Sequence, residues 1–463
     1  MANCTPRRNR NFPAAAQVGG PPLTVPASTV AEIPRGPECP QDQSTEVLSL
    51  RDCQDSPAPL RFQIPGKATS GLLPTPHSMP AATDCDVIVW GLGGMGSAAA
   101  WRLAAAGAQV IGLDQFGPAH DRGSSHGETR IIRKAYFEHP DYVPLLHRAY
   151  ELWRGLERGL ANPLFREVGL FLAGPPDSVA VRGTVAAAHE HSLPLERLSA
   201  AAARTRFPGF QFDDGFEVVW EQQAGYLEVE RCVLAQLEQA RHHGADLRFQ
   251  TPLLAWHEDE SGVTVETGQG RLRSRSLIVC AGPWSRDLVP GLEVRRKPVF
   301  WFPAPEALTL QQGAGTFFFD LPDGQFYGFP SRNAGGREPA TFKLAEHTGG
   351  DQVDDPGEVD RSQRPADLEK IRGFLRRHIP GAGLEPTAHG VCLYTLTSDQ
   401  HFIVDRHPQF SRVVVGAGFS GHGFKFTPVI GQALADLALC GGTSLPIGFL
   451  AWQRPGRTTP EFR

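Results

Sequence analysis

No stretch of this 463-residue sequence is apolar for long enough to cross a bilayer, which takes about twenty consecutive residues. Positive charge is not in excess either. Lys and Arg number 45 against 50 Asp and Glu, a net charge of −5, so there is no basic field for nucleic acid. The eight cysteines are scattered, with no CxxC pair and no regular spacing. That argues against a disulfide framework and against a structural zinc site, and points to a reduced, cytoplasmic protein without a metal. The N-terminus has no apolar core of a secretory signal, and the C-terminus reads PEFR rather than a peroxisomal address. Methionine is scarce, occurring only at Met1, Met79 and Met95.

The remaining composition is ordinary for a globular protein, with 41% hydrophobic and 21% charged residues. The length suits two or three domains. Residues 1–83 stand apart, rich in Pro, Ala, Ser, Gly and Thr, as in NFPAAAQVGGPPLTVPAS. Such a segment buries too little apolar surface to offset the entropy of ordering, so a disordered tail is expected. Met79 lies just ahead of the first strand-like run, and we expect the natural start there.

The clearest unit is DCDVIVWGLGGMGSAAAWRLAAAGAQVIGLDQ. A short apolar strand, Val87 to Trp90, leads into Gly91-x-Gly93-x-x-Gly96 and an Ala-rich helix that Gly107 stops. A second strand, from Gln109 to Leu113, ends in Asp114. Strand, glycine turn, helix, strand and acid in this order make a dinucleotide site. Gly91 makes the tight turn, Gly93 admits the pyrophosphate, Gly96 lets helix pack on strand, and Asp114 reaches the ribose hydroxyls. The motif alone does not separate NAD from FAD.

A second glycine string, Gly416-x-Gly418-x-x-Gly421, lacks a following strand that ends in an acid, so it is not a second nucleotide unit. Thr427 is expected as N-cap and Pro428 as first residue of a helix to about Cys440, which with the glycine loop makes an anion site. Leu146, Tyr150, Trp153 and Leu156 form a core stripe at helical spacing. LPDGQ (321–325) reads as a turn that places Tyr327 on a hairpin strand, and 365–381 as a helix. Arg130 and Arg133 share a face if ETRIIRKAY is helical. Lys343 and His347 share a face on a strand. Cys392, in HGVCLYT, reads by itself as a small buried residue.

Four separated strings, GSSHGETRIIRKAY (123–136), DGQFYGFPS (323–331), GVCLYTLTSDQHFIVD (390–405) and GAGFSGHGFKF (416–426), resemble the monomeric sarcosine oxidase family. That group includes N-methyltryptophan oxidase and the peroxisomal sarcosine/pipecolate oxidases, and the resemblance runs from about residue 84 to 452. It implies an α/β (overall α+β) fold. A Rossmann-like FAD-binding domain of the glutathione-reductase/D-amino-acid-oxidase-like type is joined to a second, mostly antiparallel-sheet substrate domain. We assign 84–165, 225–290 and 385–452 to the first, and 166–224 and 291–384 to the second. The implied activity is oxidation of an N-methyl or cyclic secondary amino acid, with hydride transfer to flavin N5 and reduction of O2 to hydrogen peroxide, by a monomer that binds neither membrane nor nucleic acid.

The same resemblance implies residue roles. Cys392 matches the cysteine joined by a thioether to the flavin 8α-methyl, His126 a histidine near the flavin, and Arg130 an arginine against it. Arg133 and Lys425 match the pair that holds the substrate carboxylate. Lys343 matches the lysine that activates oxygen, His347 a histidine that contacts substrate, and Tyr327 and Tyr394 substrate-facing tyrosines. Gly421 and Lys425 lie in the loop expected at the N1/C2=O edge of the ring. This sequence departs from the bacterial members at Ser125, Lys134, FEHPDY (137–142) and RNAGGREPATF (332–342), all near the pocket, which leaves the substrate open. Alternatives are N-methyltryptophan, pipecolate or proline as substrate, or a flavin dehydrogenase that passes electrons to a protein or quinone.

Overall fold

The structure, a computed structural model, describes residues 83–332 and 340–457. The expected tail and its start at Met79 fall outside the described residues, as does most of the 332–342 loop. An apolar run buried on both sides, Cys85–Trp90 (β1), forms the centre of an eight-stranded sheet. It pairs in parallel with Val110–Leu113 (β2) on one side and with strand Gly270–Val279 on the other. Between β1 and β2 runs helix Gly94–Ala105 (α1), whose small residues are buried almost all round. That permits close approach: a Cβ at Gly431 of helix Thr427–Cys440 would fall 2.5 Å from Ala98 Cβ. No helix among the described residues is long and apolar enough to cross a membrane.

A second eight-stranded sheet runs in the order Ala388–Leu396, Glu293–Pro303, Thr341–Glu346, Gly324–Phe329, Thr316–Leu321, Leu170–Gly174, Glu217–Glu221, Glu196–Ser199. All its pairs are antiparallel except that of Thr316–Leu321 with Leu170–Gly174. Strand alternation gives this sheet two chemically different faces. Phe317, Phe319, Phe326, Phe342 and Leu344 pack into one core with Phe374 of helix Pro365–His378. Their neighbours Phe318, Tyr327 and Ala345 fall in another cluster, which also holds Cys392. Period-two register thus carries the chemistry-bearing residues to the face away from the phenylalanine core.

Three expectations change. Arg130 lies not on a helix but on a strand, Thr129–Ile132 (β3), and Arg133 follows its end. β-Branched Thr129, Ile131 and Ile132 favour extended backbone, and β3 pairs with Gly225–Glu228. Segment 385–452 is not wholly of the nucleotide-binding sheet, because Ala388–Leu396 pairs along its length with Glu293–Pro303 in the second sheet. Thr427 is not an N-cap: the helix begins at Thr427 itself after a 3-10 turn, Phe424–Phe426. Its hydroxyl accepts from Gln236 Nε2 at 3.2 Å instead. Helix Tyr142–Leu156 (α2) buries the expected stripe of Leu146, Tyr150, Trp153 and Leu156.

Candidate active site

The turn from β1 into α1 opens into a cleft of about 1150 Å³, lined by Gly91, Gly93, Asp114, Arg130 and the 418–424 loop. Gly91 has φ +88°, and a Cβ there would meet Cys280 O at 2.5 Å. At Gly93 a Cβ meets nothing closer than Ser125 Oγ at 3.8 Å, so the space above it is open. No side chain caps α1, and its N-terminus is left to face an anion, apart from the Gly94 N–H donated to Ser125 Oγ at 3.1 Å. Asp114 accepts from Leu92 N and Phe116 N, both at 2.8 Å, and so braces the glycine turn while lining the cleft. The buried Thr395 hydroxyl, also in the lining, has no hydrogen-bond partner among the described residues. A dinucleotide fits these features, an open anion cradle and a buried hydroxyl available to a bound polar group.

Cys392 stands apart from the other buried cysteines. Burial pushes the thiols of Cys85 and Cys280 up to about 12, and that of Cys232 well above its usual value. Burial opposes ionisation at Cys392 too, but Arg130, His126 and Lys343 outweigh it and bring the thiol down to about 6. Arg130 Nη2 donates to Sγ at 3.3 Å, and His126 Nδ1 lies 4.0 Å away. The guanidinium is itself held by Thr129 O and Ser124 O. Lys343, 3% exposed, donates from Nζ to Gly127 O at 2.5 Å and Thr129 O at 3.1 Å. Burial first, then Arg130, pushes its ammonium down to about 7.

A second cavity, about 510 Å³, shares Arg130, Tyr394, Gly421 and Phe424 with the cleft. Arg133 and Lys425 line it, together with Tyr327, Tyr394 and His347. Lys425 Nζ donates to His422 O at 2.8 Å and Tyr136 Oη at 3.3 Å, and burial pushes it down to about 7. Trp153 of α2 pins the Lys425 backbone through Nε1 to Lys425 O at 2.9 Å. The loop that carries Lys425 needs glycine at 421, where φ is +77° and a Cβ would sit 2.3 Å from the Tyr394 ring. His347 falls one residue past its strand, with Nδ1 3.4 Å from Tyr394 Oη. Burial, with Lys297 adding repulsion, pushes its imidazolium down to about 3, so the ring is neutral.

Two residues that sequence reasoning passed over join this pocket. Glu138 Oε2 accepts from Arg133 Nη2 at 2.7 Å. Burial opposes its ionisation, yet Arg133, His422 and Lys425 hold the carboxyl below its usual range. His422 Nδ1 lies 2.6 Å from Tyr136 Oη, and its Nε2 3.0 Å from Gln400 O, which orders the donors around Lys425. Only the acid within FEHPDY and the histidine within GFSGHGF signalled them.

Known proteins share this fold. The family described as FAD dependent oxidoreductase (DAO) matches residues 86–437. The chain belongs to this family. FAD is its cofactor. The chain is 39% identical over 379 residues to a monomeric sarcosine oxidase of Streptomyces avermitilis, spanning 78% of this chain and 96% of that protein. It is 36% identical over 359 residues to an N-methyl-L-tryptophan oxidase of Salmonella arizonae, spanning 76% and 94%. The kinship read from the four motifs therefore holds. Among solved structures, NikD, an unusual amino acid oxidase, superposes with a TM-score of 0.71 at 25% identity, over 82% of this chain and 100% of that one. The glycine oxidase of Geobacillus kaustophilus shares the fold at a TM-score of 0.66 and 19% identity, over 80% and 98%.

One substitution tests the cofactor cleft. A Cβ at Gly96 would fall 1.7 Å from Gly91 O. Gly96→Ala is expected to lower stability by about 1–3 kcal/mol by overpacking and to release flavin, read by thermal unfolding and by absorbance after gel filtration.

Proposed function

We propose that this FAD-dependent oxidoreductase oxidises a small N-methyl or cyclic secondary amino acid and passes the electrons to O2. With sarcosine, O2 and water are consumed, and glycine, formaldehyde and hydrogen peroxide are released. The observation that carries this reading is the shared wall of the two cavities, because the pocket lined by Arg130, Arg133 and Lys425 has Arg130, Tyr394, Gly421 and Phe424 in common with the cofactor cleft. Bound FAD supplies the two-electron acceptor. Arg133 and Lys425 grip the substrate carboxylate, which shares the Arg133 guanidinium with Glu138. Fixing the carboxylate holds the reacting C–H in one orientation. Only a neutral amine donates electrons readily. Cationic Arg130 and Arg133 disfavour an ammonium beside them, and neutral His347 leaves room for an uncharged amine next to Tyr394.

The reading includes covalent attachment. The Cys392 thiolate, beside Arg130, would hold bound FAD through a thioether to the flavin 8α-methyl, in place of one methyl hydrogen and with O2 as the two-electron acceptor for the attachment. Lys343 is the cation that favours oxygen over a protein or quinone acceptor. Free buried thiols at Cys85, Cys232 and Cys280 support a reducing, cytoplasmic setting, and the naming of the relatives supports a monomer.

The test is anaerobic mixing with sarcosine, N-methyltryptophan, pipecolate and proline. Bleaching of the flavin, then peroxide on admitting air, ranks them; no bleaching by any secondary amino acid refutes the reading. Arg133→Met is expected to raise KM about ten- to a hundredfold, the worth of a charged hydrogen-bond pair, with a smaller change in kcat.

A further inference from the structure

The turn at residues 126–129 touches both functional poles of the site, yet its backbone is in an uncommon state. Gly127 has φ +85°, and Glu128, with a side chain, has φ +69°. Non-glycine residues persist there only where their surroundings over-determine the conformation, and such sites gather at functional centres. The turn gives Gly127 O and Thr129 O to Lys343 Nζ, and His126 O lies 3.7 Å from Cys392 Sγ. What holds the turn comes from another element. Glu230, in the first turn of helix Val229–His242, accepts from Gly127 N at 2.7 Å through Oε1. It accepts from Glu128 N at 3.1 Å through both carboxylate oxygens.

We propose that Glu230 is a positioning residue, whose carboxylate braces this turn and so fixes the cation that serves oxygen reduction. The proposal rests on the oxidase reading above. It has an electrostatic part as well as a geometric one. The groups around Lys343 are Arg130 from β3, Cys392 from Ala388–Leu396, Trp301 from Glu293–Pro303, Phe329 from its hairpin strand, Glu128 from the turn and Glu230 from the helix. Arg130 pushes the ammonium towards neutrality, while Cys392, Glu128 and Glu230 oppose it. A thioether at Cys392 carries no charge, which leaves the two carboxylates to keep Lys343 protonated. Glu128 is also engaged by Arg332 Nη2 at 2.9 Å and Trp301 Nε1 at 3.2 Å, whereas Glu230 is committed to the turn.

The experiment compares Glu230→Gln, which keeps an acceptor but removes the charge, with Glu230→Ala, both as FAD-loaded protein. Anaerobic flavin reduction by substrate is expected to stay within about twofold of the parent, since that step does not use Lys343. Reoxidation by O2 is fast while Lys343 is charged and falls as pH rises through its pKa. Losing Glu230 lowers that pKa, so the fall moves to lower pH. A move of about one unit cuts the rate about tenfold above both values. In the flavin-free chain, amide hydrogen exchange at Gly127 and Glu128 is expected to quicken in Glu230→Ala and much less in Glu230→Gln. An equal loss in both half-reactions, or an unmoved reoxidation profile in the isosteric Gln variant, overturns the proposal. If Lys343→Met reoxidises like the parent, Lys343 is not the oxygen-activating cation and the proposal falls while the oxidase reading stands; no reduction of the parent by any secondary amine refutes that reading, and the proposal falls with it.

Discussion

Replacing Cys392 with alanine is expected to move the yellow colour from the acid-precipitated protein into the supernatant. In the parent chain the flavin should stay with the precipitate, and its retention should fall from nearly complete to none. The expectation follows from a contrast within one protein: burial raises the thiols of Cys85, Cys232 and Cys280, while Arg130, His126 and Lys343 reverse the effect of burial at Cys392. A thiolate is the nucleophile, so a thiol brought down to about 6 is mostly ionised at neutral pH. In flavin-free protein, alkylation at Cys392 should rise through about pH 6 and then level off, with the other three buried thiols inert over that range. Arg130→Met removes the strongest opposing charge and should carry the rise towards higher pH. Unchanged flavin retention in Cys392→Ala, or an alkylation rise no lower than that of an ordinary thiol, would sink the covalent part of the reading.

The second large effect is expected at Lys343. Lys343→Met keeps most of the apolar stem but removes the charge that Gly127 O and Thr129 O hold in place. A fixed, desolvated charge aimed at a reacting oxygen is worth about a hundred- to a thousandfold in rate. Reoxidation of the reduced enzyme by air should slow by that factor in stopped-flow traces. Reduction by substrate should change little, because the carboxylate grip of Arg133 and Lys425 is intact. The pH sign follows from protonation. Burial pushes the ammonium down to about 7 in the flavin-free chain, and losing the Cys392 charge in the thioether lowers it further, so the parent should react faster with oxygen as pH falls and more slowly as pH rises, and the Met variant should lose this limb. Rapid reoxidation of Lys343→Met would favour a different oxygen-activating group. Slow reoxidation of the parent itself would favour the dehydrogenase alternative.

Much of this site was legible before any coordinates. The first glycine string, its strand and Asp114 appear in the structure where their order placed them, because a βαβ unit is a local device whose parts are close in sequence. Tyr327 lies on its hairpin for the same reason, since LPDGQ closes a turn between two short strands. Local patterning misled at Arg130, which shows a helical spacing with Arg133 but lies on a strand that is completed only by pairing with Gly225–Glu228. The boundary at 385 failed similarly: the apolar pattern of VCLYTL shows a strand, but not which sheet it joins.

The sequence by itself determined the nucleotide-binding unit, the hairpin that carries Tyr327, and the four motifs of the family. Tertiary structure alone decided what those residues do to one another. Cys392 meets Arg130 across a separation of 262 residues, Lys343 reaches the 127–129 turn across 216 and 214, and Glu230 braces that turn from 103 away. Charge interactions depend on distance and burial, and neither is written in the local pattern; they arise when two sheets and a helix close around one cleft.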